Sequence, residues 1–206
     1  MSIADNRKVF IANIQTILPK IYDAREVVKR VYCTPETGLS EEFAEKTVQR
    51  IGIKKRSLII NPDRLPEKEL LQPEFSSLNW GVKLIEQLTG SISKKEIGFL
   101  GVAYNVSSLA ETLPNLSSQI CTRSKLTPEV IPEERVSYGC ASGIFVLEQA
   151  ARYCRCRNKP ALVYVFDQCS WAANIIKDKK HPHFKNSYVN SLIFGDGGVG
   201  MLLVPE

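Results

Sequence analysis

Apolar positions along the chain switch repeatedly between two spacings. Lys8 to Ile14 is a short apolar run and predicts a first strand. Asp23 to Val31 predicts a helix. Phe43, Ala44, Thr47, Val48 and Ile51 form a stripe at helical intervals. Ser40 just before them is a fitting N-cap, and Gly52 is placed to end that helix. Ile53 to Ile60 adds an extended segment, and 61–73, which holds three prolines, predicts a loop. Leu78 to Leu88 is helical in period, and Glu96 to Ala103 predicts a second buried strand.

Leu109 to Arg123 predicts a helix and its approach, with Pro114 limiting where the helix starts. Glu134 to Tyr138 leads as a short strand into Gly139 and Cys140. A helix from Ser142 to Cys156 follows, stopped before Pro160. Ala161 to Phe166 is unbroken apolar sequence, as in strands covered on both faces. Tyr188 to Val204 predicts a strand, a turn at 195–198 and a further strand. Strands alternating with helices place the chain in the α/β class, and right-handed crossovers make much of the sheet parallel.

The helix after Cys140 departs from the usual pattern. Ile144, Phe145, Val146, Leu147, Ala150 and Ala151 surround most of its first turns. A surface helix has one apolar stripe and one polar face. This one requires cover on nearly every side, and a single sheet supplies only one.

At 206 residues with 44% hydrophobic and 24% charged positions, the chain can bury a sizeable core. No stretch approaches the roughly 18 apolar residues of a membrane helix, and the polar start lacks the apolar run of a secretory signal. The expected location is therefore cytoplasmic. Six cysteines at 33, 121, 140, 154, 156 and 169 have no regular spacing and read as free thiols. The net charge of +5 is mild, and no aromatic interleaving of the basic residues supports nucleic-acid binding. It suits an acidic carrier protein or the phosphates of coenzyme A.

Four segments, in order, carry a resemblance. They are Arg50-Ile-Gly-Ile-Lys-Lys-Arg56, Ser137-Tyr-Gly-Cys-Ala-Ser-Gly143, the strand Ala161 to Asp167 with Gln168-Cys-Ser170, and Leu192-Ile-Phe-Gly-Asp-Gly-Gly198. Together they resemble the ketoacyl-ACP synthase III and type III polyketide synthase (chalcone-synthase-like) branch of the thiolase superfamily. The resemblance spans roughly residues 8–204 and corresponds to the N-terminal half of such an enzyme. It implies a single thiolase-like half domain over 1–206, with a five-stranded mixed sheet and helices on both faces. In the family two such halves stack with the nucleophile helix in the shared middle layer. A C-terminal half from a partner chain is therefore expected to roof that helix.

The resemblance makes Cys140 the residue that carries an acyl group. Thiolate is the reactive form of cysteine, and the exposed N–H groups of a helix start favour it. Small residues at Gly139, Ala141 and Gly143 are expected to let the acyl carbonyl approach the backbone, with the Cys140 N–H as an oxyanion donor. On composition alone a buried inert cysteine is the commoner case. Arg50 matches the family position near coenzyme A phosphates, and Arg56, which closes the same segment, is the second candidate for binding coenzyme A. The bland alternative for Arg50 is a solvated residue at a helix C-terminus. Where the family often has a Trp four residues earlier, this chain has Lys46. Asp167 reads as a structural carboxylate at a strand end, and the turn at 195–198 as structural rather than phosphate-binding.

The only histidines, His181 and His183, do not match the family's catalytic His. With Cys169 they suggest a metal site only weakly, so no metal is assigned. The leading expectation is an acyltransferase: the nucleophile-bearing subunit of a split ketosynthase III-like enzyme, serving fatty acid or polyketide biosynthesis. It would form a thioester on Cys140 for decarboxylative Claisen condensation. A second subunit would supply His and Asn, giving a hetero-oligomer. Coenzyme A or an acyl carrier protein would deliver the acyl group as substrate, with no permanently bound cofactor. The alternatives are a non-catalytic tunnel-shaping or scaffold subunit and a cysteine transacylase.

Overall fold

The computed structural model describes residues 7–65, 69–108 and 113–206. They divide into two compact units. The first comprises the chain up to Ile17, Ser76–Asp167 and Gly198–Glu206, and the second comprises Leu18–Phe75 and Gln168–Gly197. The expected helical approach at 109–112 lies outside the described residues.

The first unit is built on a five-stranded sheet. Its strands are β1 (Val9–Ile17), β4 (Phe99–Tyr104), β5 (Ile131–Val136), β6 (Ala161–Gln168) and β7 (Asp196–Pro205), in the order β1-β7-β6-β4-β5. β4 runs parallel to both β5 and β6, whereas β1 is antiparallel to β7. The sheet is mixed, as expected. β4 and β6 are buried along nearly their whole length, because helices cover both faces. One face carries α5 (Ser142–Arg157), whose Val146, Ala150 and Cys154 pack with Phe99, Ala103, Ala161 and Val163. Gly101 makes room there, since a Cβ on it would lie 2.6 Å from the Val146 side chain. The other face carries α3 (Ser77–Leu88) and α4 (Leu116–Arg123), and the Tyr164 hydroxyl donates to the Ser77 carbonyl at 3.1 Å. α4 starts one residue after Asn115, whose side chain accepts from the Ser118 N–H.

The second unit joins α1 (Ala24–Tyr32), α2 (Glu41–Ile51), α6 (Cys169–Ala172) and α7 (Phe184–Ile193) to a two-stranded antiparallel ribbon of β2 (Lys20–Asp23) and β3 (Lys55–Leu58). Asp23 caps α1 by accepting from the Arg25 and Glu26 amides. Ser40 caps α2 by accepting from Phe43, and Gly52 ends it at φ 76°. The core holds Val27, Val28, Val31, Tyr32, Ala44, Leu58 and Tyr188.

One sequence expectation is corrected here. Residues from Tyr188 do not form a strand, and 195–198 do not turn between two strands. Phe184–Ile193 is helical, and Asp196 already belongs to β7. Phe184 and Tyr188, one helical turn apart, both meet the edge of the Tyr32 ring, at 6.3 and 5.1 Å between centroids. A helix brings both rings onto that core, whereas a strand would separate them by some 13 Å.

Candidate active site

The carboxyl ends of the parallel strands β5, β4 and β6 lie side by side, and such ends are where open α/β sheets gather their reacting groups. Each contributes one part. β5 runs through Ser137, with a left-handed φ of 63°, into a 3-10 turn at Gly139–Ala141 that leads into α5. Cys140 sits in that turn as an exposed free thiol. Beyond β4 comes Asn105, and near the end of β6 comes Asp167.

These three parts are tied together. Asp167 Oδ1 accepts from the backbone amides of Asn105 and Val106, at 2.8 and 2.9 Å. Its Oδ2 accepts from Asn105 Nδ2 at 2.9 Å. The Asn105 amide group is thereby oriented, and its Oδ1 accepts from the Gly139 N–H at 2.8 Å. The Ser137 amide donates to the Tyr104 carbonyl, and the Ser142 hydroxyl to the Gly139 carbonyl. The turn carrying Cys140 is thus held from before, behind and the side. Asp167 serves as the structural carboxylate expected at that strand end.

The small residues have specific tasks. Gly139 adopts φ +67°, a region costly to side-chain-bearing residues, although a Cβ there would meet nothing within 4 Å. A Cβ on Gly143 would lie 3.0 Å from Val165 Cγ1, so this glycine lets the start of α5 sit close on β6. α5 begins without a side-chain cap. Its first N–H groups are then of the kind that stabilise developing negative charge.

Beside the turn the surface is apolar. Ile144 is 70% exposed and Phe145 48%, with Tyr138 meeting Phe145 edge to face at 6.1 Å. Val136 and Ile131 on the edge strand are also exposed. The sheet covers one side of α5, while these flanking residues remain uncovered by this chain.

Comparison with solved structures places this architecture. A 3-oxoacyl-(acyl-carrier protein) synthase from Burkholderia xenovorans superposes with TM-score 0.70 at 17% identity, over 96% of this chain and 48% of that one. The tetronic acid condensing enzyme AbyA1 gives 0.74 at 16% identity, over 96% and 55%. PKS-I from the brown alga Ectocarpus siliculosus gives 0.70 at 16%, over 97% and 57%. The fold is a thiolase-like half. The chain spans about half the length of these condensing enzymes. No family model and no curated sequence matches it.

The other sequence-derived candidates belong to the second unit, whereas Cys140 belongs to the first. Arg50 is exposed in the last turn of α2. Arg56 is buried, at 6% exposure. Burial pushes its guanidinium down to about 10, against the attraction of Asp196 and of the Tyr32 and Cys169 side chains. Asp196 of the Gly-Asp-Gly segment accepts from the Ile59 amide at 2.7 Å, the Ser170 amide at 2.8 Å and the Ser170 hydroxyl. It ties the segments around Ile59 and Ser170, both in the second unit, to the Gly-Asp-Gly segment, which is the structural role expected of that motif. His181 and His183 are exposed, and no cluster of three or more metal-binding side chains occurs among the described residues. No helix among them is long and apolar enough to cross a membrane.

Asn105 escaped the sequence reading. Its one signal was position: a polar residue just beyond the carboxyl end of a buried strand.

Proposed function

We propose that this chain is the nucleophile-bearing half of a ketosynthase III-like condensing enzyme, with Cys140 as the acyl carrier. The observation that carries this reading is the placement of one exposed thiol on a braced turn at the start of an α-helix, within a thiolase-like half. In the first step the Cys140 sulfur forms a C–S bond to the acyl carbon of a coenzyme A or carrier-protein thioester. The donor thiolate leaves with its bonding pair and takes the Cys140 proton. In the second step a carboxylated extender loses carbon dioxide. The resulting carbanion forms a C–C bond to the acyl carbon, and Cys140 leaves as thiolate. The product is a β-ketoacyl thioester. A partner chain would supply the His and Asn that stabilise the enolate, and Arg50 the contact with coenzyme A phosphates. The uncovered Ile144 and Phe145 are where a second half would pack.

One observation favours the non-catalytic alternative. Both histidines of the chain lie in the second unit, ahead of the Phe-Gly-Asp-Gly segment, and neither matches the position of the family's catalytic His. Incubation with acetyl-coenzyme A, with and without a co-expressed partner, separates the two readings. A mass increase on the peptide carrying Cys140, lost in Cys140→Ala, supports the acyl-carrying role. No acylation in the presence of the partner leaves the scaffold role.

A further inference from the structure

The second unit contains a cavity of about 320 Å³ that the condensing chemistry does not use. Arg56, Cys169, His183 and Asn190 are among its polar lining residues, and Ile176 and Phe194 among its apolar ones. Arg56 decides what it can hold. The residue is 6% exposed, yet its Nε has no hydrogen-bond partner. A buried guanidinium ordinarily faces a carboxylate that accepts from it. Asp196 is the nearby acid, but both its oxygens already accept from the Ile59 and Ser170 groups. The Tyr32 hydroxyl is likewise engaged, with Ser191 Oγ at 2.7 Å. A desolvated guanidinium that lines a cavity is an anion site by its chemistry.

The cavity's size and lining narrow the anion. It stands at the small end of the roughly 300–1,000 Å³ typical of ligand pockets. One guanidinium matches one carboxylate. A phosphate dianion would call for further cationic groups, and none lines the cavity apart from His183. Ile176 and Phe194 suit a short hydrocarbon tail. We infer that this cavity binds a short-chain monocarboxylate, with Arg56 pairing its head and the apolar wall taking its tail. The inference does not rest on Cys140 being acylated, since site and ligand lie in the other unit.

Cys169 on the cavity wall provides the readout. The full chain is titrated with butyrate while iodoacetamide labelling of Cys169 is followed by peptide mass spectrometry, with Cys156, which is exposed in the other unit, as internal control. Butyrate is expected to slow labelling of Cys169 saturably and to leave Cys156 unchanged. Butyramide, isosteric but neutral, should protect at least roughly tenfold less well, the scale of one lost charge-assisted hydrogen bond. Arg56→Met should abolish protection. Should that variant fail to fold, Asn190→Trp, on an exposed lining position, fills the cavity and should abolish it as well. Equal protection by butyramide, stronger protection by inorganic phosphate, or undiminished butyrate protection in Asn190→Trp would each overturn the assignment.

Discussion

The Gly139 amide donates to the side-chain oxygen of Asn105 at 2.8 Å, across 34 residues of sequence. This bond fixes the residue immediately before the Cys140 thiol. It also commits the Gly139 amide, so that this N–H is not a donor for a substrate oxygen. Asn105→Ala should therefore change reactivity as well as stability. It removes this neutral hydrogen bond and the Asn105 Nδ2 bond to the Asp167 carboxylate, together about 3 kcal/mol. Acylation or alkylation of Cys140 should slow by roughly tenfold, since small misplacements of a reacting group are costly. An unchanged Cys140 rate in Asn105→Ala would show that the turn needs no brace.

Asp167 acts one step further back. Its carboxylate accepts three N–H bonds from Asn105 and Val106. Asp167→Asn retains one carbonyl oxygen and sets an NH2 group against donors. A loss of about 2–3 kcal/mol in urea unfolding is expected, because hydrogen bonds to charged groups are the stronger ones. Cys140 reactivity should fall in parallel with the Asn105 variant. Combining both changes should cost less than their sum, because they act along one chain of bonds.

Gly139 and Gly143 separate conformation from space. Gly139→Ala meets no neighbour but must hold φ +67°, at a cost of about 1–2 kcal/mol. Gly139→Asn should cost less, since asparagine tolerates this region better. Gly143→Ala keeps an ordinary backbone but crowds Val165 Cγ1 at 3.0 Å. Pairing it with Val165→Ala should recover stability, which the same partner change cannot do for Gly139→Ala. Chemical denaturation of the three single variants and the two Val165→Ala pairs checks this.

The acid-range stability should reflect Asp196. Burial raises its pKa above the ordinary 3.8, even though the Ser170 hydroxyl and amide, the Ile59 amide and Arg56 pull it down. Between the unfolded and the raised folded value, the native protein holds a proton that the unfolded chain has released. The contribution of this group to stability is thus present below the unfolded value and is lost as pH rises through the folded one. Compared with the non-titrating Asp196→Asn, the wild-type chain should lose stability as pH rises from about 4 towards neutrality. A difference between the two that stays flat or grows with pH contradicts the raised value.

Ile144 and Phe145 should matter to assembly rather than to folding. Both are largely exposed on α5, so Phe145→Ser should cost under about 1 kcal/mol. The same change should weaken association with a second half-synthase chain, measured by co-purification and sedimentation. Equal association of wild type and Phe145→Ser would remove this face from the interface.

The sequence by itself determined whatever depends on neighbours in the chain. Ser40 and Gly52 marked both ends of α2, because caps satisfy backbone groups within a few residues. The unbroken apolar run at 161–166 announced a strand buried on both faces, and the surplus of apolar residues after Cys140 announced a helix needing cover beyond one sheet. Tertiary structure decided what depends on distant partners. Residues 184–193 are rich in residues that suit strand or helix, and they became helical because Phe184 and Tyr188 pack against Tyr32. Arg56 reads in the sequence as a candidate for binding coenzyme A, yet folding buries it beside a cavity. The brace on Cys140 likewise exists only once the ends of three strands meet, because hydrogen bonds among Asp167, Asn105 and Gly139 join segments that sequence spacing cannot relate.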